Sequence, residues 1–196
     1  MELIRELRWT TALGALTARV ATAADLAAHA PALARAYSDP ANMRLLGHIG
    51  TLTVDDVLAH YARLDEEHDH GLLLFRDGAL AGDADIRGVT MNGTELVGEF
   101  AFLIGAPKEQ GKGLGTAFAI MVHTFAFRDA GMARLYASIL PDNNASRRVF
   151  EKLGYHVDAG DHGIGDEGDV VMSIDAATFL HLHAAAVADI HLDLRD

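Results

Sequence analysis

Apolar and polar positions along this chain alternate between two periods, one of helices and one of strands. Thr22-Ala-Ala-Asp25 has the form of a helix N-cap with an acid at the third helical position, and the Ala-rich run after it predicts a helix to about Tyr37, where Ser38-Asp39-Pro40 ends it. Thr53-Val-Asp-Asp56 repeats the signal, and Val57, Leu58, Tyr61 and Leu64 give the second helix one apolar face, closed by Gly71. Strands are expected at Ala15 to Ala21, Leu72 to Phe75, Ala79 to about Val89 and Leu96 to Ile104, with hairpin signals at Asp77-Gly78 and Asn92-Gly93. Leu114, Phe118, Met121 and Phe125 recur at helical spacing with little polar surface between them, so a largely buried helix is predicted, ending at Gly131. A strand from Leu135 to Leu140 stops at Pro141. A short helix follows from Asn143 to Leu153 with Gly154 after it, then short strands at Tyr155 to Asp158 and Val170 to Ile174. This order predicts one mixed α/β domain over residues 15–175, preceded by a lead-in (1–14) and followed by a C-terminal helix and tail (176–196).

Composition narrows the class. The chain has 196 residues, half of them hydrophobic, which suits a single domain with a sizeable core. No apolar run is long enough to span a bilayer, and the first residues mix acid and base without a signal-peptide apolar region. With no cysteine, disulfides, thiol nucleophiles and thiolate metal sites are excluded, and a cytoplasmic protein is expected, without membrane attachment. The formal net charge of −12 is the reverse of a nucleic-acid footprint and favours cationic partners such as amines. Against that field the three lysines, Lys108, Lys112 and Lys152, cluster around one glycine-rich turn and one later helix that also carries Arg147 and Arg148, a local patch suited to an anionic ligand. His68-Asp69-His70 and His181-x-His183 place histidines two apart, which do not share a helix face, and no metal is expected. The acidic, glycine-rich loop from Ala159 to Asp169 lacks calcium-loop spacing and is a candidate for selecting a cationic acceptor.

The glycine-rich turn is Gln110-Gly-Lys-Gly-Leu-Gly-Thr116, between the longest strand and the buried helix. Unpaired N–H groups and the helix dipole make such a start an anion site, and glycine lets a phosphate approach the backbone. The spacing from Gly105 to Lys112 is one residue too long for a nucleoside-triphosphate loop, and Gly113 stands where a hydroxyl would hold Mg²⁺. A dinucleotide fingerprint fails at Thr116, and the preceding strands are joined by hairpins instead of helices.

What remains is Gln110-x-x-Gly113-x-Gly115, followed some thirty residues on by Asn143-x-x-Ser146 and then Phe150-Glu-Lys-Leu-Gly-Tyr155. These paired segments resemble the GNAT superfamily of acetyl-CoA-dependent N-acyltransferases, and with Gly98-Glu99-Phe100 they are closest in flavour to its ribosomal-protein alanine and polyamine acetyltransferase branch. The resemblance implies a GNAT-like fold, a mixed and mostly antiparallel sheet flanked by helices. It implies acetyl transfer from acetyl-CoA to a primary amine (a small amine, an antibiotic or a protein N-terminus) by direct attack in a ternary complex. It implies a coenzyme cradle at Gln110, Gly111, Lys112, Gly113, Leu114, Gly115 and Thr116, help for other phosphates from Lys108, Lys112, Arg147 or Arg148, and strand contacts from Phe102, Leu103 and Ile104. Asn143, Ser146 and Phe150 would complete the coenzyme site. Glu99 becomes the candidate base, with Glu95 and Asp85 as weaker ones. Phe150 stands where many members carry a proton-donating tyrosine, which leaves Ser146 as a replacement donor and Tyr155 as a more distant one. That departure keeps a second reading open, a non-catalytic acyl-CoA-binding or regulatory module. A homodimer through the C-terminal segment is a further expectation.

Overall fold

A computed structural model describes residues 4–47, 49–105, 110–160 and 162–195. Among the described residues, nine strands form one sheet in the order β7-β8-β6-β5-β4-β3-β2-β1-β9. The strands are β1 (Ile4–Thr11), β2 (Gly14–Val20), β3 (His70–Arg76), β4 (Ala79–Asn92), β5 (Glu95–Ile104), β6 (Arg134–Ile139), β7 (His156–Val157), β8 (Val170–Asp175) and β9 (His191–Arg195). Every neighbouring pair is antiparallel except β5 and β6. Helices α1 (Ala23–Tyr37), α2 (Pro40–Leu46) and α3 (Val54–Glu66) precede β3, and α4 (Leu114–Thr124) and α5 (Asn144–Leu153) flank β6. α6 (Ala176–Leu182) and α7 (Ala184–Asp189) follow β8.

Strand β3 shows how the layers form. Leu72 and Leu74 face a large core with α4, α5 and Phe179, while Leu73 and Phe75 face a smaller one with Leu33 of α1 and Val57, Tyr61 and Leu64 of α3. An apolar run without alternation is what a strand covered on both faces requires. The expected capping boxes are present, Thr22 with Asp25 and Thr53 with Asp56. α4 passes at its end into a π-helical turn over Phe125–Asp129, and Arg128 there donates to the carbonyls of Val187 (3.0 Å) and Ile190 (2.9 Å).

Several expectations are corrected. Residues 4–11 of the expected lead-in are strand β1, lying between β2 and β9; its polar pattern arises because buried Glu6 is held by Arg8 (2.7 Å) and Arg19 (3.3 Å). The expected C-terminal helix is two short helices broken at His183, and the tail is the edge strand β9, paired with β1. α2 was not anticipated; Asp39 caps it and Pro40 opens it, a role for proline that competes with the helix stop read from the same residues. α3 ends at Glu66, and Gly71 lies in β3, where a Cβ would stand 2.6 Å from the Tyr61 ring.

Candidate active site

The site forms where the sheet opens. β5 pairs with β4 as far as Ile104, but with β6 only through Val97, Gly98 and Glu99, opposite Arg134, Leu135 and Tyr136. Beyond Glu99 the two strands diverge, although β6 stays paired with β8 to Ile139. The backbone edge from Phe100 onward thus lacks its parallel neighbour, leaving room for an extended ligand arm.

A cavity of about 680 Å³ lies against this opening. Glu99, Phe102, Asn143, Ser146 and Phe150, all expected in the site, line it. Phe150 is buried against Phe100, Phe102 and Tyr155, ring centroids 6.1, 6.1 and 5.0 Å away. Asn143 is the N-cap of α5, accepting from the Ser146 N–H (3.0 Å) and donating to the Leu45 carbonyl (2.8 Å), so both ends of its amide hold protein. Ser146 is therefore not the cap, and it presents to the cavity from the first turn. Leu103 and Ile104 are buried and do not line the cavity, which leaves their backbone as what they can offer a ligand.

The glycine-rich turn sits at the other end of the same edge. Gly113 is the N-cap of α4 at φ 91°, and among the described residues no side chain caps the helix. Gly111 is also left-handed, at φ 74°, and a Cβ there would meet nothing within 4 Å among the described residues. Gly115 lies so close to Phe102 that a Cβ would be 3.1 Å from its ring, while Leu114 is a core residue. A bare helix start with backbone open to approach is the arrangement an anion needs. Gln110 does something else: its amide N–H donates to Ile104 O (2.9 Å) and to Asn42 Oδ1 (2.8 Å), and fully buried Asn42 donates to Ala36 O and Gly105 O. That latch joins the end of β5 to α1 and α2, and Asn42 carried no signal in the sequence. Arg147 and Arg148 on α5 make no ion pair among the described residues. Lys108 lies outside the described residues.

On the α1/α3 side, β4 and β5 present a charged face. Asp83, Asp85 and Arg87 stand in register with Leu103, Ala101 and Glu99. Arg87 holds Glu99 through two bonds, Nε to Oε2 (3.1 Å) and Nη2 to Oε1 (3.0 Å). Asp83 is 3% exposed and accepts from the Tyr37 and Tyr61 hydroxyls, each at 3.1 Å. Burial, reinforced by the charge of Asp85, pushes the Asp83 carboxyl up to about 7, and both tyrosine hydroxyls are pushed well above their ordinary value, first by burial and then by Asp83. Asp85 Oδ2 meets His60 Nε2 at 2.9 Å. Arg63 Nη2 lies 3.1 Å from His60 Nδ1; a guanidinium only donates, so Nδ1 accepts and Nε2–H donates to Asp85. Sequence reasoning reaches Asp85 only as a weak base candidate and misses Asp83, Tyr37, Tyr61 and His60. The one available signal was the period-2 spacing of Asp83, Asp85 and Arg87, which also describes a solvent-facing strand.

The cavity lining carries Asp56, Asp83, Asp85, Glu99, Asp166 and Asp169 against Arg63 and Arg87. The acidic loop reaches it because Asp169 is anchored on Ser138 and Asp158 on Ser173 (2.8 Å). Glu95 is exposed at the far end of β5 and does not line it. Tyr155 is buried with its hydroxyl 2.6 Å from His123 Nε2, so it is not on the cavity; burial pushes that histidine down to about 3, and its Nδ1 is 2.7 Å from Ala119 O. Among the described residues no three His, Asp or Glu side chains are placed to hold a metal ion, and no helix is long and apolar enough to cross a membrane.

The family model for the acetyltransferase (GNAT) domain matches residues 17–156, from β2 to β7. A probable N-acetyltransferase of Bacillus subtilis, YjcK, is 32% identical over 96 residues, covering 47% of this chain and 50% of that protein, so the match spans half the relative's length. Among solved structures, Mycobacterium smegmatis RimJ in complex with CoA-disulfide superposes with a TM-score of 0.74 at 18% identity, covering 95% of this chain and 96% of that one. Spermidine N-acetyltransferase from Vibrio cholerae, in complex with CoA and spermine, gives 0.65 at 17% identity over 84% and 98%. At these identities the structures speak to the fold, and they agree with the open, mostly antiparallel sheet seen here. The sheet that parts after Glu99, the bare start of α4 beyond it and the extent of the family match together place this chain in the acetyltransferase (GNAT) family.

Proposed function

We propose that this chain is an acetyl-CoA-dependent N-acetyltransferase that moves an acetyl group to a primary amine by direct attack. The observation that carries the reading is the divergence of β5 from β6 immediately after Glu99, with an uncapped helix start at one end of the open edge and an acid-lined cavity at the other. The first-turn N–H groups of α4 and the left-handed glycines before it suit the coenzyme pyrophosphate, and Arg147, Arg148 and Lys112 are the nearby bases for its other phosphates. The pantetheine arm would lie along the open edge of β5, and a backbone N–H there would meet the thioester oxygen as charge develops on it.

An alkylamine with a pKa of roughly 10 arrives protonated and must lose a proton before it attacks. Glu99 is the proposed base: it stands at the last closed rung, its side chain is 15% exposed, and Arg87 fixes its direction. Of the ammonium's protons, one passes to Glu99 directly or through water, which frees the nitrogen to form the new C–N bond, and a second passes from that nitrogen through Ser146 or water to the sulfur as the C–S bond breaks. Phe150 supplies none, and a thiol with a pKa of about 8.5 is an adequate leaving group without a strong acid. The cavity's carboxylates favour a cationic acceptor. The test is formation of acetylated amine, followed by mass spectrometry, from acetyl-CoA and a panel of primary amines. Glu99→Gln is expected to lower kcat at pH 7 by about 10²-fold or more and to lose less at high pH, where the amine is already neutral. Unchanged activity would remove Glu99 from the mechanism.

A further inference from the structure

Helix α2 is held by polar groups in place of apolar packing. It has seven residues, too few to be stable through its own hydrogen bonds, and among the described residues none of them belongs to or packs on either hydrophobic core. Its one buried residue is a polar one, Asn42. Asn42 Nδ2 donates to Ala36 O (2.9 Å) at the end of α1 and to Gly105 O (3.0 Å) after β5, and its Oδ1 accepts from Gln110 Nε2 (2.8 Å). At the other end of α2 the Leu45 carbonyl accepts from Asn143 Nδ2 (2.8 Å), and Asn143 Oδ1 caps α5. The helix is therefore tied to the glycine-rich turn through Asn42 and to α5 through Leu45, the two elements proposed to hold the coenzyme. Leu45, Leu46 and Gly47, at its C-terminal end, line the cavity proposed for the acceptor, whereas Asn42 and Gln110 do not.

We propose that Asn42 is a positioning residue: through its bond to Gln110 it seats α2 against the coenzyme turn, so that filling the coenzyme site firms the α2 wall of the acceptor cavity. This rests on the acetyl-CoA reading above. A phosphate on the N–H groups that follow Gln110 restrains the turn, and the second bond of Gln110, to Ile104 O, keeps its amide aimed at Asn42. If Gln110 moves away, Asn42 Oδ1 loses that donor inside the protein, which is costly, and α2 has no apolar burial to offset the loss. The response falls on α2 because α1 and β5 are anchored in the cores by Ala30, Leu33 and Ala34 and by Phe100 and Ile104. Such a link works in both directions: whatever firms α2 also favours the coenzyme-bound turn.

The experiment is hydrogen–deuterium exchange of the full chain with and without saturating CoA. In the unaltered protein CoA is expected to slow amide exchange about 10-fold or more both at the start of α4 and in α2. In Asn42→Ala it is expected to slow α4 as before and to leave α2 unchanged. Asn143→Ser keeps a cap for α5 but removes the donor to Leu45 O, and is expected to weaken the protection of α2 in the same way. With an amine that the protein acetylates, Asn42→Ala is expected to raise the amine KM about 10-fold and the acetyl-CoA KM by less than about threefold, because Gln110 keeps its bond to Ile104 O. Protection of α4 without α2 in the unaltered protein overturns the link, and so does full protection of α2 in both variants. The unaltered protein and Asn143→Ser decide if Asn42→Ala does not fold. No protection of α4 by CoA would defeat the coenzyme reading and the link with it. Linked protection with no acetylation of any amine would leave the link standing and defeat the transferase reading alone.

Discussion

Asp83 keeps a carboxyl where water barely reaches it, with two phenol hydroxyls as its partners and a second acid beside it on the strand. Its ordinary value of 3.8 is moved to about 7 in the folded chain. The folded state therefore binds that proton more tightly than the unfolded state, so its stabilising effect is complete below pH 3.8 and is lost as pH rises through about 7. The difference in thermal stability between the wild type and Asp83→Asn should shift against the wild type between pH 4 and pH 8, by on the order of 4 kcal/mol at most. A difference that stays flat over that range would show that Asp83 does not titrate there. None of this could be read from the residue alone. Asp83-x-Asp85-x-Arg87 is the alternation of an exposed strand face, and only the packing of Tyr37 and Tyr61 from two helices distant in sequence buries it. That Glu99 lines the cavity was legible because it sits on the strand before the glycine turn. Its two bonds to Arg87 were not, since cross-strand register depends on the Asn92-Gly93 turn and on the irregularity between Arg87 and Thr90.

The elements that local chemistry specifies were the easiest to read. α1 and α3 announce themselves by capping boxes, α5 by its asparagine cap and terminal glycine, and the β3–β4 and β4–β5 hairpins by Asp-Gly and Asn-Gly. Elements held by tertiary partners were hidden: β1 is paired on both sides, with β2 and β9, β9 pairs with β1 alone, and α2 is fastened through Asn42 to the ends of α1 and β5. The start of α4 lies between these cases, since its glycines gave its position and the structure gives the reason for them. Gly113→Ala forces a left-handed backbone on a residue with a Cβ, at a cost of about 1–2 kcal/mol. It should raise the KM for acetyl-CoA severalfold while leaving the amine KM within about twofold, since Gly113 does not line the acceptor cavity. An unchanged acetyl-CoA KM, measured by initial rates at saturating amine, would place the coenzyme's phosphates elsewhere.

On the scale of the whole molecule, the sheet works as two antiparallel blocks joined by three parallel rungs, Val97 to Glu99 against Arg134 to Tyr136. One block carries the acid face and the α1–α3 layer, and the other carries α5 and the acidic loop, and the cavity proposed above for donor and acceptor is lined from both. The overall charge of −12 points the same way as the acid-lined cavity and favours cations, while Arg147 and Arg148 on α5 make no ion pair among the described residues. With no cysteine in the chain, a thiol acyl-enzyme is excluded, and the reaction proposed above is direct transfer with both reactants bound together. Initial rates of CoA release, with acetyl-CoA and the amine both varied, test this most directly. Double-reciprocal lines that intersect, with no release when amine is omitted, are the predicted result. Parallel lines, or CoA release that does not depend on any amine, would contradict direct transfer at this seam.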